Sequence, residues 1–297
     1  MKDNLGIAFA GGGVKSVSQI ALIEWLQQEN LKADVISGTS AGAFIATLYA
    51  LGLDAQTILE ELEEALLIIE TENLMHVSAS KILFNRNVKH GIIDAAWLEF
   101  LIEQVCSKYD AKNIRDVKIP LAITAVDIYT GELIVFVSHP EKYHSTHRRT
   151  KVITDIPLSK AIRASMSFPL VFGSVHYQDH YLIDGGIRMN CPVPMLEDYG
   201  ATKTLAITMR GEIDSEKPID KKLDVASRVF ELMSREAEYR HVIKADYHLN
   251  VPLPPVNIFD TQVTRKIFGY GVQTIEKEHE ELKNFMKPKS FLRKLLK

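Results

Sequence analysis

Apolar residues fall along this chain in short runs that alternate with stretches of helical periodicity. Leu5-Gly6-Ile7-Ala8-Phe9-Ala10 is an apolar run of strand length ended by Gly11-Gly12-Gly13, after which Val17, Ile20, Ala21 and Trp25 recur at helical spacing. The grammar then repeats. Ala33-Asp34-Val35-Ile36 supplies a second strand, and Ala43 to Leu51 a buried helix ended by Gly52. Two strand–turn–helix units this close fit one βαβ span, so the first two strands are expected to run parallel with both turns at one sheet edge. Asp54 to Ile69 reads as an acidic amphipathic helix. The weakly periodic stretch that follows, residues 70–91, reads as a flap over a site, and Asp94 as the cap of a helix through Val105. Pro120–Val126 and Leu133–Val137 bracket Gly131 as a hairpin, followed by a basic, histidine-bearing loop from His139 to Lys151. Pro157 to Ser165 starts a helix, Tyr181-Leu182-Ile183 is a strand into Asp184-Gly185-Gly186, and Thr204 to Met209 is a further strand. Leu223–Lys244 and Thr261–Met286 are long helical patterns.

Composition narrows the class. With 297 residues, 46% of them hydrophobic, the chain can bury a large core, and no compositional break divides it. A net charge of -3 gives no electrostatic reason to expect nucleic acid. Cys106 and Cys191, far apart, make neither a disulfide framework nor a metal knuckle. The start of the chain runs directly into a strand without the features of a signal peptide, so a cytoplasmic location is expected. The uncharged run from Val35 to Leu53 contains three glycines and reads as strand, turn and buried helix rather than a membrane span.

The chemistry is carried by Gly38-Thr39-Ser40-Ala41-Gly42, a G-x-S-x-G pentapeptide between the second strand and its helix. Such a nucleophile elbow raises a serine hydroxyl on a tight turn, and the flanking positions, here Gly38, Ala41 and Gly42, must be small where the backbone crowds. A serine nucleophile also needs a base and donors for the oxyanion. The N–H groups of Gly11, Gly12 and Gly13 at a helix start can supply the donors, with Lys15 reinforcing the field. Asp184, ending an apolar strand before Gly185 and Gly186, is the candidate base, expected to be within a direct hydrogen bond of the serine hydroxyl and to have its proton affinity raised by partial burial. Gly11 to Gly13 do not form a dinucleotide loop, because Ser16 replaces its third glycine and no acidic residue ends the second strand; Lys15-Ser16 also misses the P-loop spacing.

In four ordered blocks the sequence resembles the patatin-like phospholipases: Gly11-Gly12-Gly13-Val14-Lys15, the elbow at Ser40, Ala161–Pro169, and Tyr181–Gly186 followed by Asn190-Cys191-Pro192-Val193. The resemblance covers Leu5 to about Arg210. It implies an α/β fold, a three-layer αβα sandwich around a mainly parallel central sheet, with a single catalytic domain over 1–286. It further implies a Ser-Asp dyad, Ser40 as nucleophile and Asp184 as base, and Gly11, Gly12 and Gly13 as the oxyanion loop of a serine lipid acyl hydrolase. The implied substrate is a phospholipid or other acyl-ester lipid, with no cofactor and no metal. Ser16 stands where the family usually has glycine, and Gln19 where histidine is common.

Acyl transfer on the same site and a catalytically silent lipid-binding role are the alternatives. His176 and His180, close before Asp184, offer a conventional triad as a second arrangement. His144 and His147 lie in the basic loop without a carboxylate or cysteine cluster to complete a metal site. Met166, Met189, Met195 and Met209 read as core filler or as the wall of an acyl channel. The last eleven residues, 287–297, carry five basic side chains, no acidic one, and Phe291, Leu292, Leu295 and Leu296 at helical spacing; this basic amphipathic tail is a candidate peripheral contact with an anionic inner-membrane surface.

Overall fold

The computed structural model describes residues 3–75, 88–211, 219–220, 222–256 and 260–288. The first apolar run forms β1 (Leu5–Phe9), which pairs in parallel with β2 (Val35–Thr39), as the two strand–turn–helix units predict. β2 begins and ends later than the apolar run suggests, because Ser37, Gly38 and Thr39 are buried ladder residues and the Ser37 hydroxyl donates to the Pro192 carbonyl at 2.9 Å. A 3₁₀ helix, Gly13–Gln19, separates the glycine run from α1 (Ile20–Gln28). α2 (Ala41–Ala50) and α3 (Ala55–Thr71) follow, the latter capped by the Asp54 side chain, which accepts from the Thr57 N–H at 2.7 Å.

After β3 (Gly91–Ile93), α4 (Ala96–Lys108) starts later than expected: its N-cap is Ala95, while Asp94 accepts the Ala96 N–H at 3.1 Å. β4 (Leu121–Asp127) and β5 (Leu133–Val137) form the expected antiparallel hairpin, with Gly131 at φ +65° in its turn. The end of the basic loop is β6 (Thr150–Ile153), paired with β5. Then come α5 (Leu158–Ser165), β7 (Leu170–Phe172), β8 (Val175–Tyr177), β9 (His180–Asp184), α6 (Gly186–Met189) and α7 (Val193–Asp198). β10 (Lys203–Thr208), α8 (Lys222–Val242), β11 (Tyr247–Asn250) and α9 (Thr264–Met286) complete the described chain.

The sheet runs β11-β10-β1-β2-β4-β5-β6, mostly parallel, with a β8–β9 hairpin attached to β4 and β3–β7 as a separate pair. β1, β2, β4, β5 and β10 are buried along their whole length, as expected of strands covered on both faces. α1, α2 and α5 pack on one side, α6, α7 and α8 on the other.

One register positions the site. β2 pairs with the lower half of β4, ending at Thr39 opposite Thr124. β9 then takes the same edge of β4 in the antiparallel sense, with Asp184 opposite Ala125. Ser40 and Asp184 therefore meet where β2 hands over to β9. The strand that carries Asp184 runs antiparallel to β4 and reaches the edge at which the parallel strand β2 ends.

The expected flap falls largely on residues 76–87 and the basic tail on 289–297, both outside the described residues. Among the described residues no helix is long and apolar enough to cross a membrane.

Candidate active site

Ser40 has φ +54° and ψ -133°, a conformation that costs a residue with a side chain of order 1–3 kcal/mol. Its neighbours hold it there. Its N–H donates to the Ser165 hydroxyl at the end of α5, 2.8 Å away, and its carbonyl accepts from the Ala43 N–H at 2.8 Å. Thr39, one residue earlier, has its hydroxyl 2.6 Å from that of Thr124 and 2.7 Å from the Met189 carbonyl. A Cβ at Gly42 would collide with the carbonyl oxygens of Phe9 and Ala10, and one at Gly38 would lie 2.7 Å from Ala43 Cα. The small positions of the pentapeptide are thus dictated by contact between α2 and the ends of β1 and β2.

Asp184 is buried. Its Oδ1 accepts the Gly186 N–H at 2.7 Å, and its own N–H donates to the Ser167 carbonyl at 3.0 Å. Burial pushes its carboxyl up to about 6, against the opposing pull of hydrogen bonds from the Gly186 N–H and from the Ser40 side chain. Ser40 thus stands near enough to the carboxylate to act on its charge.

The glycine run lies against Ser40: a Cβ on Gly11 would stand 2.9 Å from Ser40 Cβ. The three glycines differ, however. The Gly11 N–H donates to the Asn190 carbonyl at 3.0 Å and its carbonyl accepts from Asn190 Nδ2 at 3.1 Å, so Gly11 is clamped. Gly12 and Gly13 head the 3₁₀ helix, where the first N–H groups have no intrahelical acceptor. Lys15 lies within that helix, half-buried. The two departures from the family pattern both support the residue before the run. Gln19 brackets Ala10, accepting its N–H and donating to its carbonyl at 2.9 Å each, and the Ser16 hydroxyl donates to the same carbonyl at 3.4 Å.

His180 is at the far end of β9 from Asp184, about 13 Å along an extended strand, and His176 is exposed beside Tyr181. His180 Nδ1 is 2.5 Å from Asp127 Oδ2. Burial works to raise the Asp127 carboxyl, but hydrogen bonds from His180 and from the Tyr129 and Thr130 N–H groups outweigh it and hold it below the ordinary value. The conventional triad is not assembled. His147 lies 3.7 Å from Asp198, and among the described residues no cluster of three metal-ligating side chains occurs. Met195 is core; Met209 is buried against Gly12.

Several contributors carry no local sequence signal. Asn190 Nδ2 also donates to Glu238 on α8 at 2.7 Å, and Glu238 in turn pairs with Arg210 Nε at 2.5 Å. Phe230, also on α8, packs on Phe168 with ring centroids 4.4 Å apart and comes within 3.4 Å of a Cβ placed on Gly186. The buried Arg163 donates to the Ala95 and Gly173 carbonyls at 3.0 Å and to Ser167 at 2.5 Å. Only the polar and aromatic identity of these residues was visible; the long-range pairings that give them a place were not.

The model of the patatin-like phospholipase family matches residues 7–196. The chain belongs to that family. It is 24% identical over 265 residues to YqhO of Bacillus subtilis, covering 84% of this chain and 86% of that protein. To lysophospholipase NTE1 of Yarrowia lipolytica it is 24% identical over 216 residues, 73% of this chain but 13% of that one. The chain spans 13% to 28% of the length of NTE-family relatives such as NTE1 and a Mycobacterium tuberculosis protein. Among solved structures, VipD of Legionella pneumophila superposes with a TM-score of 0.44 at 13% identity, over 93% of this chain and 67% of that one. The patatin-like match takes in the glycine run, the elbow and Asp184 together.

Proposed function

We propose that this chain is a serine lipid acyl hydrolase that cleaves carboxylic esters of phospholipids or lysophospholipids through Ser40 and Asp184. The observation that carries the reading is the placement of a strained, half-buried serine beside a buried carboxylate whose proton affinity is raised toward neutrality. Asp184 takes the Ser40 proton as the Oγ–carbon bond forms at the ester carbonyl. The N–H groups of Gly12 and Gly13 stabilise the oxyanion; Gly11 acts through its clamp on Asn190 rather than as a third donor. The carbon–oxygen bond to the alcohol breaks and the alcohol leaves with the proton from Asp184. Water then attacks the acyl carbonyl, giving a proton to Asp184; the acyl–Oγ bond breaks, the acid leaves, and Asp184 returns the proton to Ser40 Oγ. Family membership and the lysophospholipase among the relatives support a lipid ester as substrate.

Labelling with a fluorophosphonate probe, mapped by mass spectrometry, tests the reading. The adduct is expected on Ser40, absent in Ser40→Ala and slowed at least about a hundredfold in Asp184→Asn. Full-rate labelling of Asp184→Asn would falsify the dyad.

A further inference from the structure

We infer that the sheet edge carrying Ser40 is a lipid-docking face, on which the molecule seats its apolar rim directly on a membrane or micelle surface. The inference rests on the reading of the site as a lipid hydrolase and adds to it a surface, and a partner, for which the site itself makes no demand.

Exposed large apolar side chains are distributed unevenly over the fold. Ser40 follows the C-terminal end of β2, and Ile128 and Tyr129 follow the C-terminal end of β4 at the same edge. Tyr129 is 68% exposed and Ile128 39%. α8 leaves this edge after β10, and its first turns expose Val225, Val229 and Leu232, each close to half. α3 rises from the opposite edge and carries exposed Leu67 on its upper turns. By contrast, the stretches that enter the strands at the opposite edge, 29–34, 109–120 and 199–202, expose none among their residues. Tyr239 and Ile243, on the last turns of α8 and just beyond, lie away from this edge, and Phe100 of α4, Ile219 before α8 and Met233 in the middle of α8 are exposed as well.

Leu170 is the strongest single signal. It follows Pro169 with φ +66°, a left-handed conformation that is a genuine outlier for a bulky apolar residue, and its side chain is 51% exposed. Folding thus accepts both backbone strain and apolar exposure at one position. The position is next to the site: Phe168, two residues earlier, packs on Phe230 of α8, and Phe230 stands beside Gly186. The rim from Leu170 to Val229 is therefore continuous with the wall of the site.

The occupant follows from shape and area. The exposed positions come from separate segments on both sides of the sheet, so a broad, yielding surface meets them together. The α8 stripe alone, three aliphatic side chains each about half exposed, falls well short of the roughly 800 Å² per partner that stable protein pairs bury. Amphipathic groups complete the rim: Lys89 Nζ donates to the Tyr181 hydroxyl at 2.8 Å, and Tyr181 and Tyr129 pack edge-on with centroids 5.4 Å apart. Tyrosine and lysine in this arrangement suit the boundary between acyl chains and water.

The test uses the triple variant Leu170→Asn, Val225→Gln, Val229→Gln in the full chain, with phosphatidylcholine vesicles, whose lack of net charge removes attraction for the basic residues 287–297. Asparagine tolerates positive φ and glutamine keeps helix propensity, so folding is preserved. Vesicle partition is expected to fall about tenfold or more, hydrolysis of vesicle lipid with it, while turnover of a water-soluble short-chain ester stays within about twofold. Unchanged partition of the variant, or no partition of the wild type, overturns the inference. A mass in solution that drops on substitution overturns it in favour of a second copy. Absence of soluble-ester turnover in wild type that still binds vesicles is a failure of the hydrolase reading instead.

Discussion

At Asp184 burial and chemistry oppose each other, and the opposition has a measurable sign. The carboxyl is raised to about 6 from 3.8 by burial, so the folded state keeps a proton that the unfolded chain releases. The stability this contributes is complete below about pH 4 and is lost as the pH rises through about 6. Asp184→Asn, which removes the cost of the buried charge, is expected to stabilise the protein by up to about 3 kcal/mol at pH 8 and hardly at all at pH 4; thermal unfolding at the two pH values checks it. Catalysis runs the other way. Because the proposed base is the carboxylate form, kcat/KM for a soluble ester should decline on the acid side with a midpoint near 6, and a profile flat from pH 5 to 8 would remove Asp184 from the role.

Among the elements, the glycine run and its 3₁₀ helix are held from outside. Asn190 grips Gly11 through both backbone and side chain, and Glu238 on α8 fixes the Asn190 amide. Asn190→Ala should therefore lower kcat about tenfold to a hundredfold with a smaller change in KM, measured on a soluble ester; equal loss in both would mean general disorder of the site. The alternation of apolar runs and helical periods made β1, β2, the β4–β5 hairpin and the long C-terminal helices legible, because each is decided by local burial and turn residues. The short strands β3, β6, β7 and β8 have three or four residues each and too little pattern to announce themselves. Asp184 was visible as a carboxylate before two glycines. The antiparallel direction of its strand was not, since direction depends on where β8 and β9 attach to β4. For the same reason His180 looked available until Asp127, 53 positions away in sequence, was seen to hold it.

On the scale of the whole molecule, Arg163 ties together segments that no sheet connects. Its guanidinium, buried and pushed down to about 10 by desolvation, reaches the start of α4, the turn after β7 and Ser167, whose carbonyl receives the Asp184 N–H. Arg163→Ala leaves those acceptors buried without donors, and a loss of about 3 kcal/mol or more is expected in denaturant unfolding; a loss below about 1 kcal/mol would show the contacts to be redundant. The handover of β4's edge from β2 to β9 has a different kind of consequence. Thr39 opposite Thr124 and Asp184 opposite Ala125 are adjacent rungs of one ladder, so the spacing between Ser40 and Asp184 comes only in steps. Shifting β9 by a single residue would turn Asp184 to the other face of the sheet altogether. A fold built this way has no gradual route to a looser or tighter dyad: descendants of this chain can change what surrounds the pair, or abandon it, but cannot slide it.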